Sequence, residues 1–192
     1  MVRVRDDRLL LGEWACLGLI APAPTHGFAV AARLKPDRDV GRIWSLSRGL
    51  TYRAVDQLVR RGFVESVGEE PGIAGGNRTI VQATSAGRAA LADWLDTPVA
   101  HLRDLRSELL LKLTLGEVNG HDPGLLLAGQ RSMIVGLVNS FDALDPAADS
   151  AAGAAVVALW RVESAHAALR FVDQLLQRVA ARSPSPGDRA TC

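Results

Sequence analysis

The chain has 192 residues, 48% of them hydrophobic and 22% charged, and a formal net charge of +1. This length and composition are typical of one or two folded domains and exclude a chain that is disordered over most of its length. Two cysteines are too few for a disulfide framework. The cysteines and the four histidines also lack the spacing of metal ligands, so we expect no metal and no cofactor. No positively charged segment followed by an apolar stretch opens the chain, so we expect a cytoplasmic protein.

The N-terminal part begins with two predicted helices joined by a turn. Residues 9–21 are almost all apolar and contain no β-branched residue before Ile20, which favours a helix over a strand. Thr25 is the predicted N-cap of a second helix, which ends near Leu34 because a proline follows soon afterwards.

A third helix is predicted over residues 48–61, with Ser47 as its N-cap and Gly62 as the residue that ends it. A helical wheel places its polar residues, including Arg53 and Arg60, on one face. The opposite, packing face consists of Leu50, Thr51, Ala54, Val55, Leu58 and Val59. The surrounding residues 33–61 contain eight basic and three acidic side chains, an excess that favours nucleic acid only modestly when taken alone.

The next elements predict a β-hairpin and a closing helix. Residues 63–67 and 78–83 are typical of short strands, and the glycine-rich stretch 68–77 joins them. Thr84 or Ser85 is the predicted cap of the helix that follows. Three helices, a hairpin and a further helix form a winged helix-turn-helix, in which the third helix enters the major groove of DNA.

Four segments of the chain resemble, in the same order, segments of the PadR family of bacterial transcriptional regulators, particularly its longer members with a separate helical C-terminal domain. They are residues 24–28, 44–55, 78–88 and 105–113. The resemblance implies a winged-helix regulator that forms a homodimer and, in some members, binds an aromatic effector. The family's usual polar-then-apolar pair before its tyrosine is inverted in this chain, as Leu50 and Thr51.

Four residues of the third helix are candidates for DNA binding. Arg48 and Arg53 lie in its first turns, where one or both read guanine or hold a phosphate. Tyr52 matches the family's tyrosine, which implies a phosphate contact, and the alternative is a partly buried packing residue. Ser47 is expected to act mainly as a helix cap, and the free backbone N–H groups near it favour a phosphate.

The hairpin contributes Asn77 and Arg78 as candidates, because the adjacent glycines 75–76 permit close approach of the backbone to DNA. Glu69 and Glu70 on the other strand are expected to repel DNA. The alternative for this region is a flexible hairpin whose arginine is simply solvated.

The second half contains two further predicted helices, at residues 125–144 and 151–181. The apolar arc of the last helix is wider than one packing partner normally covers, which predicts a homodimer. The expected interface residues are Trp160, Leu169, Val172 and Leu176. Four aromatic residues are candidates for an effector pocket, with ordinary core packing as the alternative, namely Trp14, Trp94, Trp160 and Phe171.

The sequence therefore predicts a mainly α protein with a winged helix-turn-helix domain at residues 1–96, a helical dimerisation and effector domain at 97–182, and a disordered tail at 183–192. Enzyme motifs such as a P-loop, a dinucleotide fingerprint or a nucleophile elbow are missing from the sequence, so we expect no catalysis. The predicted function is a homodimeric, double-stranded-DNA-binding transcriptional regulator, expected to be a repressor on an inverted-repeat operator. The alternative is a winged-helix protein-interaction module that binds no DNA.

Overall fold

The computed structural model describes residues 9–71, 77–142 and 152–182. The chain forms two compact units, of which the first combines Met1–Leu95 with Arg106–His121 and the second combines Asp96–Leu105 with Asp122–Cys192. The predicted domain boundary at residue 96 stays a prediction, since the chain returns to the first unit after residue 105. The predicted tail, residues 183–192, lies outside the described residues.

The first unit contains the helices and the hairpin of a winged helix-turn-helix, as the sequence predicts. Its helices are α1 (Leu11–Ile20), α2 (Gly27–Arg33), α3 (Arg48–Arg60), α4 (Ser85–Asp96) and α5 (Leu110–Asn119). The predicted cap of α2 is wrong, because His26, and not Thr25, precedes the helix and accepts the Ala29 N–H at 3.0 Å through Nδ1.

Thr25 cannot serve as that cap because it belongs to a strand. The sheet consists of β1 (Thr25–His26), β2 (Val64–Pro71) and β3 (Asn77–Ala83), with β3 in the centre and both pairings antiparallel. Strand β2 extends beyond the predicted residues 63–67 and carries an irregularity between Ser66 and Gly68. The two outer strands are thus held on β3, which fixes the start of α2 beside the hairpin.

Helix α3 begins and ends as the sequence predicts. The Ser47 hydroxyl accepts the Leu50 N–H at 3.3 Å, and Gly62 adopts a left-handed φ of +74° after the last turn. The buried face is narrower than the predicted arc, because Leu50 and Val59 are 47% and 41% exposed. Four of the six residues predicted for the packing face are buried: Thr51, Ala54, Val55 and Leu58.

Helix α1 lies in the core of the first unit, against both α3 and α5. Gly18 of α1 permits close packing, since a Cβ atom there would lie 2.7 Å from a methyl carbon of Leu115. The Asn119 side chain also donates to the Gly18 carbonyl oxygen at 2.9 Å. Cys16 is fully buried in this core, and burial raises the pKa of its thiol to about 12, as expected for a structural residue.

The second unit is built on two long helices, α6 (Gly124–Asp142) and α7 (Ala152–Arg182), which pack against each other. Their pairing includes a hydrogen bond from Arg131 to Asp173 at 2.6 Å. The buried Gln130 amide accepts from the Val99 N–H at 2.7 Å and donates to the Val99 carbonyl at 3.1 Å. Within the ranges that the structure describes, the helices are too short or too polar to span a membrane.

Candidate nucleic-acid interface

The first turn of α3 places a cation beside free backbone donors. Ser47 caps the helix, as predicted, and its carbonyl oxygen accepts from the Thr51 hydroxyl at 3.1 Å. Arg48 follows the cap directly and is exposed. The N-terminus of a helix carries a partial positive charge, so this turn favours an anion such as a phosphate.

The Phe28 ring contacts both this turn and the hairpin. The Arg48 guanidinium lies 5.6 Å from the centre of the Phe28 ring, and the Arg78 guanidinium lies 5.4 Å from the same centre. Both distances are within the range of cation–π attraction. Phe28, Arg48, Tyr52 and Arg78 therefore form one aromatic and cationic cluster, which we call the Phe28 cluster.

Tyr52 completes the Phe28 cluster from the second turn of α3. Its ring lies 5.7 Å from the Arg48 guanidinium and packs on Gly27, where a Cβ atom would lie 2.9 Å from the ring. The side chain is nevertheless 39% exposed. Tyr52 thus combines a packed ring with an accessible edge, so packing and phosphate contact are compatible at this position.

His26, which pairs with Ile80 in the middle of β3, lies near Arg78. Its Nδ1 accepts the α2 cap hydrogen bond, so the neutral ring carries its proton on Nε2. That nitrogen lies 3.4 Å from a Glu70 carboxylate oxygen and 3.5 Å from Arg78 Nη1. The Nε2–H therefore faces Glu70 as its acceptor, whereas Arg78 has only donors and contacts the Phe28 ring instead.

The other hairpin candidate, Asn77, is engaged within the sheet. Its side-chain amide donates to a Glu69 carboxylate oxygen at 2.7 Å across the β2–β3 pair. This bond occupies a donor of Asn77 and partly satisfies one of the carboxylates predicted to repel DNA. The glycines 75–76, predicted to approach DNA, lie outside the described residues.

Arg53 is exposed on a different side of α3 from the Phe28 cluster. It contributes to a shallow groove of about 570 Å³ that also includes Gln57 and the exposed Leu50. The other residues of the groove are Leu10, Leu11, Gly12, Glu13, Trp44, Leu46 and Ala54. Helix α3 thus presents two surfaces, the aromatic and cationic Phe28 cluster and this mainly apolar groove.

The residues predicted for an effector pocket are divided between the two units. Trp14 and Trp94 of the first unit stack with ring centres 4.8 Å apart, which leaves no space between them for a ligand. The buried Lys112 ammonium lies 4.5 Å from the Trp94 ring. In the second unit Trp160 is 72% and Phe171 is 39% exposed. An effector site at these residues stays a prediction.

Three of the predicted DNA-binding residues, Arg48, Tyr52 and Arg78, lie together in the Phe28 cluster, and their DNA contacts stay predictions. Phe28 and His26, which lie next to them, were not named as candidates from the sequence. A partial signal for Phe28 was present, because this large apolar side chain follows a glycine in the turn before α2. Across the described ranges, no group of three potential metal ligands is brought together. The site therefore consists of cations, aromatic rings and helix N–H groups.

No protein-family model and no curated protein matches the chain. The chain is similar to the solved structure of Bacillus subtilis PadR in complex with operator DNA, at 17% identity and a TM-score of 0.43, over 85% of this chain and 97% of that one. It is also similar to Bacillus subtilis PadR in complex with p-coumaric acid, at 16% identity and a TM-score of 0.42, over 89% and 99% of the two chains. A PadR-like transcriptional regulator from Bacillus cereus matches at 16% identity and a TM-score of 0.37, over 90% and 99%. These solved structures carry the name of the family that the sequence motifs resemble.

Proposed function

We propose that this chain is a transcriptional regulator that binds double-stranded DNA in a sequence-specific manner. The observation that carries the proposal is the Phe28 cluster, in which arginines from α3 and from the hairpin meet on one aromatic ring. Two cations that different elements bring to one ring form a localised positive surface, and such a surface binds the phosphates of DNA.

The two elements have different roles in this proposal. Helix α3 enters the major groove with its N-terminal half, so Arg48 and Tyr52 hold the backbone while Arg53 reaches base edges. Arg78 contacts phosphate or the adjacent minor groove from the hairpin. Phe28 keeps Arg48 and Arg78 at a fixed separation, which lowers the entropy lost when both bind.

A selection from a pool of random duplexes tests this function with the full chain. We expect an inverted repeat to be enriched, with half-sites about one helical turn or a multiple of it apart, because a two-fold dimer presents two equivalent α3 helices. Repression of a promoter that carries the selected site would then distinguish a repressor from an activator. A pool that stays random after repeated rounds would support the interaction-module alternative instead.

We further propose that α7 pairs two copies of the chain. Its N-terminal half exposes large apolar side chains, including Leu159 at 62% and Trp160 at 72%. Leu169 and Leu176 are half-buried, whereas Val172 is fully buried in its own chain and offers no surface to a partner. The proposed interface therefore involves Leu159 and Trp160, and the exposed parts of Leu169 and Leu176 extend it further along α7.

The dimer is tested by replacing both Leu159 and Trp160 with glutamate. Each side chain contributes about 1.5 kcal/mol or more if a partner buries it, so the double variant should raise the dimer dissociation constant at least about a hundredfold. Sedimentation equilibrium measures this, with Arg161→Ala on the same exposed turn as the control. A folded double variant that remains as dimeric as the wild type would refute this interface.

A further inference from the structure

Leu50 is an apolar side chain in an unexpected place. It lies in the first turn of α3, at the end proposed to enter the groove, and is 47% exposed. The neighbouring Thr51 is fully buried, and its hydroxyl donates to the Ser47 carbonyl oxygen. The inverted order of these two residues thus turns the hydroxyl inward and the leucine outward.

The surroundings of Leu50 are open and flanked by charge. Gly49 has no atom within 4 Å of the position that a Cβ would take, so another molecule can approach this turn closely. Arg53 is exposed and borders the same groove as Leu50, one turn further along the helix. Leu10, which is 72% exposed, and Leu46 border this groove as well. The surface around Leu50 is therefore apolar and has one cation, Arg53, beside it.

One ligand matches this combination of an apolar contact and a nearby cation. The major groove of DNA presents phosphates and base acceptor atoms, which a cation such as Arg53 complements, and its only apolar marker on an unmodified base edge is the 5-methyl group of thymine. A purely apolar molecule would leave Arg53 without a partner, and a guanine or cytosine edge would lose hydrogen bonds against leucine. Charge complementarity therefore selects DNA, and the apolar contact selects a thymine at Leu50.

We propose that Leu50 is a specificity-determining residue that contacts the 5-methyl group of a thymine in each half-site. This inference rests on the proposed DNA-binding function and assigns one of its base contacts. Leu50 then favours thymine over cytosine and over uracil by excluding water from that methyl group.

The experiment replaces each thymine of the selected duplex, one at a time, by deoxyuridine, which removes only the methyl group. For the wild-type chain we expect one position in each half-site at which affinity falls about fourfold, the factor that burial of one such group contributes. Leu50→Ala should bind the thymine and deoxyuridine duplexes equally at that position, whereas Leu50→Met should keep most of the discrimination.

Val59→Ala is the matched control, because Val59 is also an exposed apolar residue of α3 but lies near its other end. This variant should retain the full fourfold effect, and equal melting temperatures would confirm that all variants are folded. Wild-type binding that is unaffected by every deoxyuridine would overturn the Leu50 contact and leave DNA binding intact. A sensitive position that persists in Leu50→Ala would also overturn it, whereas failure of the wild type to bind any duplex would overturn the proposed function.

Discussion

Gly87→Ala is expected to destabilise the first unit by about 3 kcal/mol, the upper part of the range for overpacking. Gly87 is buried at the start of α4, and a Cβ atom there would lie 2.0 Å from the Phe63 carbonyl oxygen. This oxygen belongs to the backbone between α3 and β2, so a rotamer change cannot relieve the clash. Thr84 also ties the two segments together, since its hydroxyl donates to the Gly62 carbonyl oxygen at 2.7 Å. Urea unfolding followed by circular dichroism measures the loss.

Gly49→Ala is the matched control for this prediction. Gly49 is also a helical glycine, but no atom lies within 4 Å of its added Cβ. Alanine restricts the unfolded chain and favours the helix, so this variant should gain about 0.5–1 kcal/mol of stability. The two variants should therefore change the free energy of unfolding in opposite directions. Similar stabilities would mean that α4 does not pack on Phe63 as described.

Arg53→Ala and Arg78→Ala are expected to weaken DNA binding in two different ways. If Arg53 reaches a base edge, its loss should cost about 1–3 kcal/mol on the selected site and much less on random DNA. Arg78 lies on β3 of the hairpin, in contact with the Phe28 ring, and is expected to contact phosphate. Its loss should weaken both duplexes similarly and reduce the salt slope by about one unit. Fluorescence anisotropy across a salt series distinguishes the two patterns.

Arg60→Ala is the control for charge alone. Arg60 is exposed in the last turn of α3, away from the end proposed to enter the groove. Its removal should change affinity little on either duplex. The assignment of α3 as the recognition helix would be contradicted if the Arg53, Arg60 and Arg78 variants lost equal DNA affinity and if salt reduced all three losses alike. That result would indicate only a diffuse electrostatic surface.

Local signals in the sequence were sufficient to predict α3 and the hairpin. Ser47 and Gly62 mark the ends of α3 through cap chemistry that depends only on neighbouring residues. Strand β1 has only two residues, too few for an alternating pattern, and it exists because β3 pairs with it. The cap at His26 was missed for the same reason, since the strand displaces Thr25 from the cap position.

The Phe28 cluster illustrates a limit of a different kind. Arg48 was a candidate because of its place in the first turn of α3, and Tyr52 because of the family resemblance. Their contacts with Phe28 and Arg78 were not predictable, because those residues are distant in sequence. A helical wheel also overestimates burial at the ends of an arc. Leu50 was predicted to pack and is exposed, because the elements that cover α3 bury a narrower stripe than the apolar pattern spans.

The second half shows where pattern and packing differ most. The wide apolar arc of α7 predicted its central residues for a dimer, yet Val172 is used within the chain while Trp160 remains exposed. The sequence pattern cannot assign each apolar residue to its own chain or to a partner, because both uses require the same hydrophobicity. Similarly, α5 belongs to the first unit although it follows the predicted boundary, since it packs against α1.

The central claim is that the surface formed by α3 and the hairpin reads DNA sequence. Its most direct test compares the affinity of the full chain for the selected duplex and for a scrambled duplex of equal composition, over a series of salt concentrations. We predict that the selected duplex binds at least about 10³-fold more tightly, and that the affinity for both falls as salt rises, because arginines displace counterions from phosphates. Equal affinity for the two duplexes at every salt concentration, or no binding to either, would contradict the account.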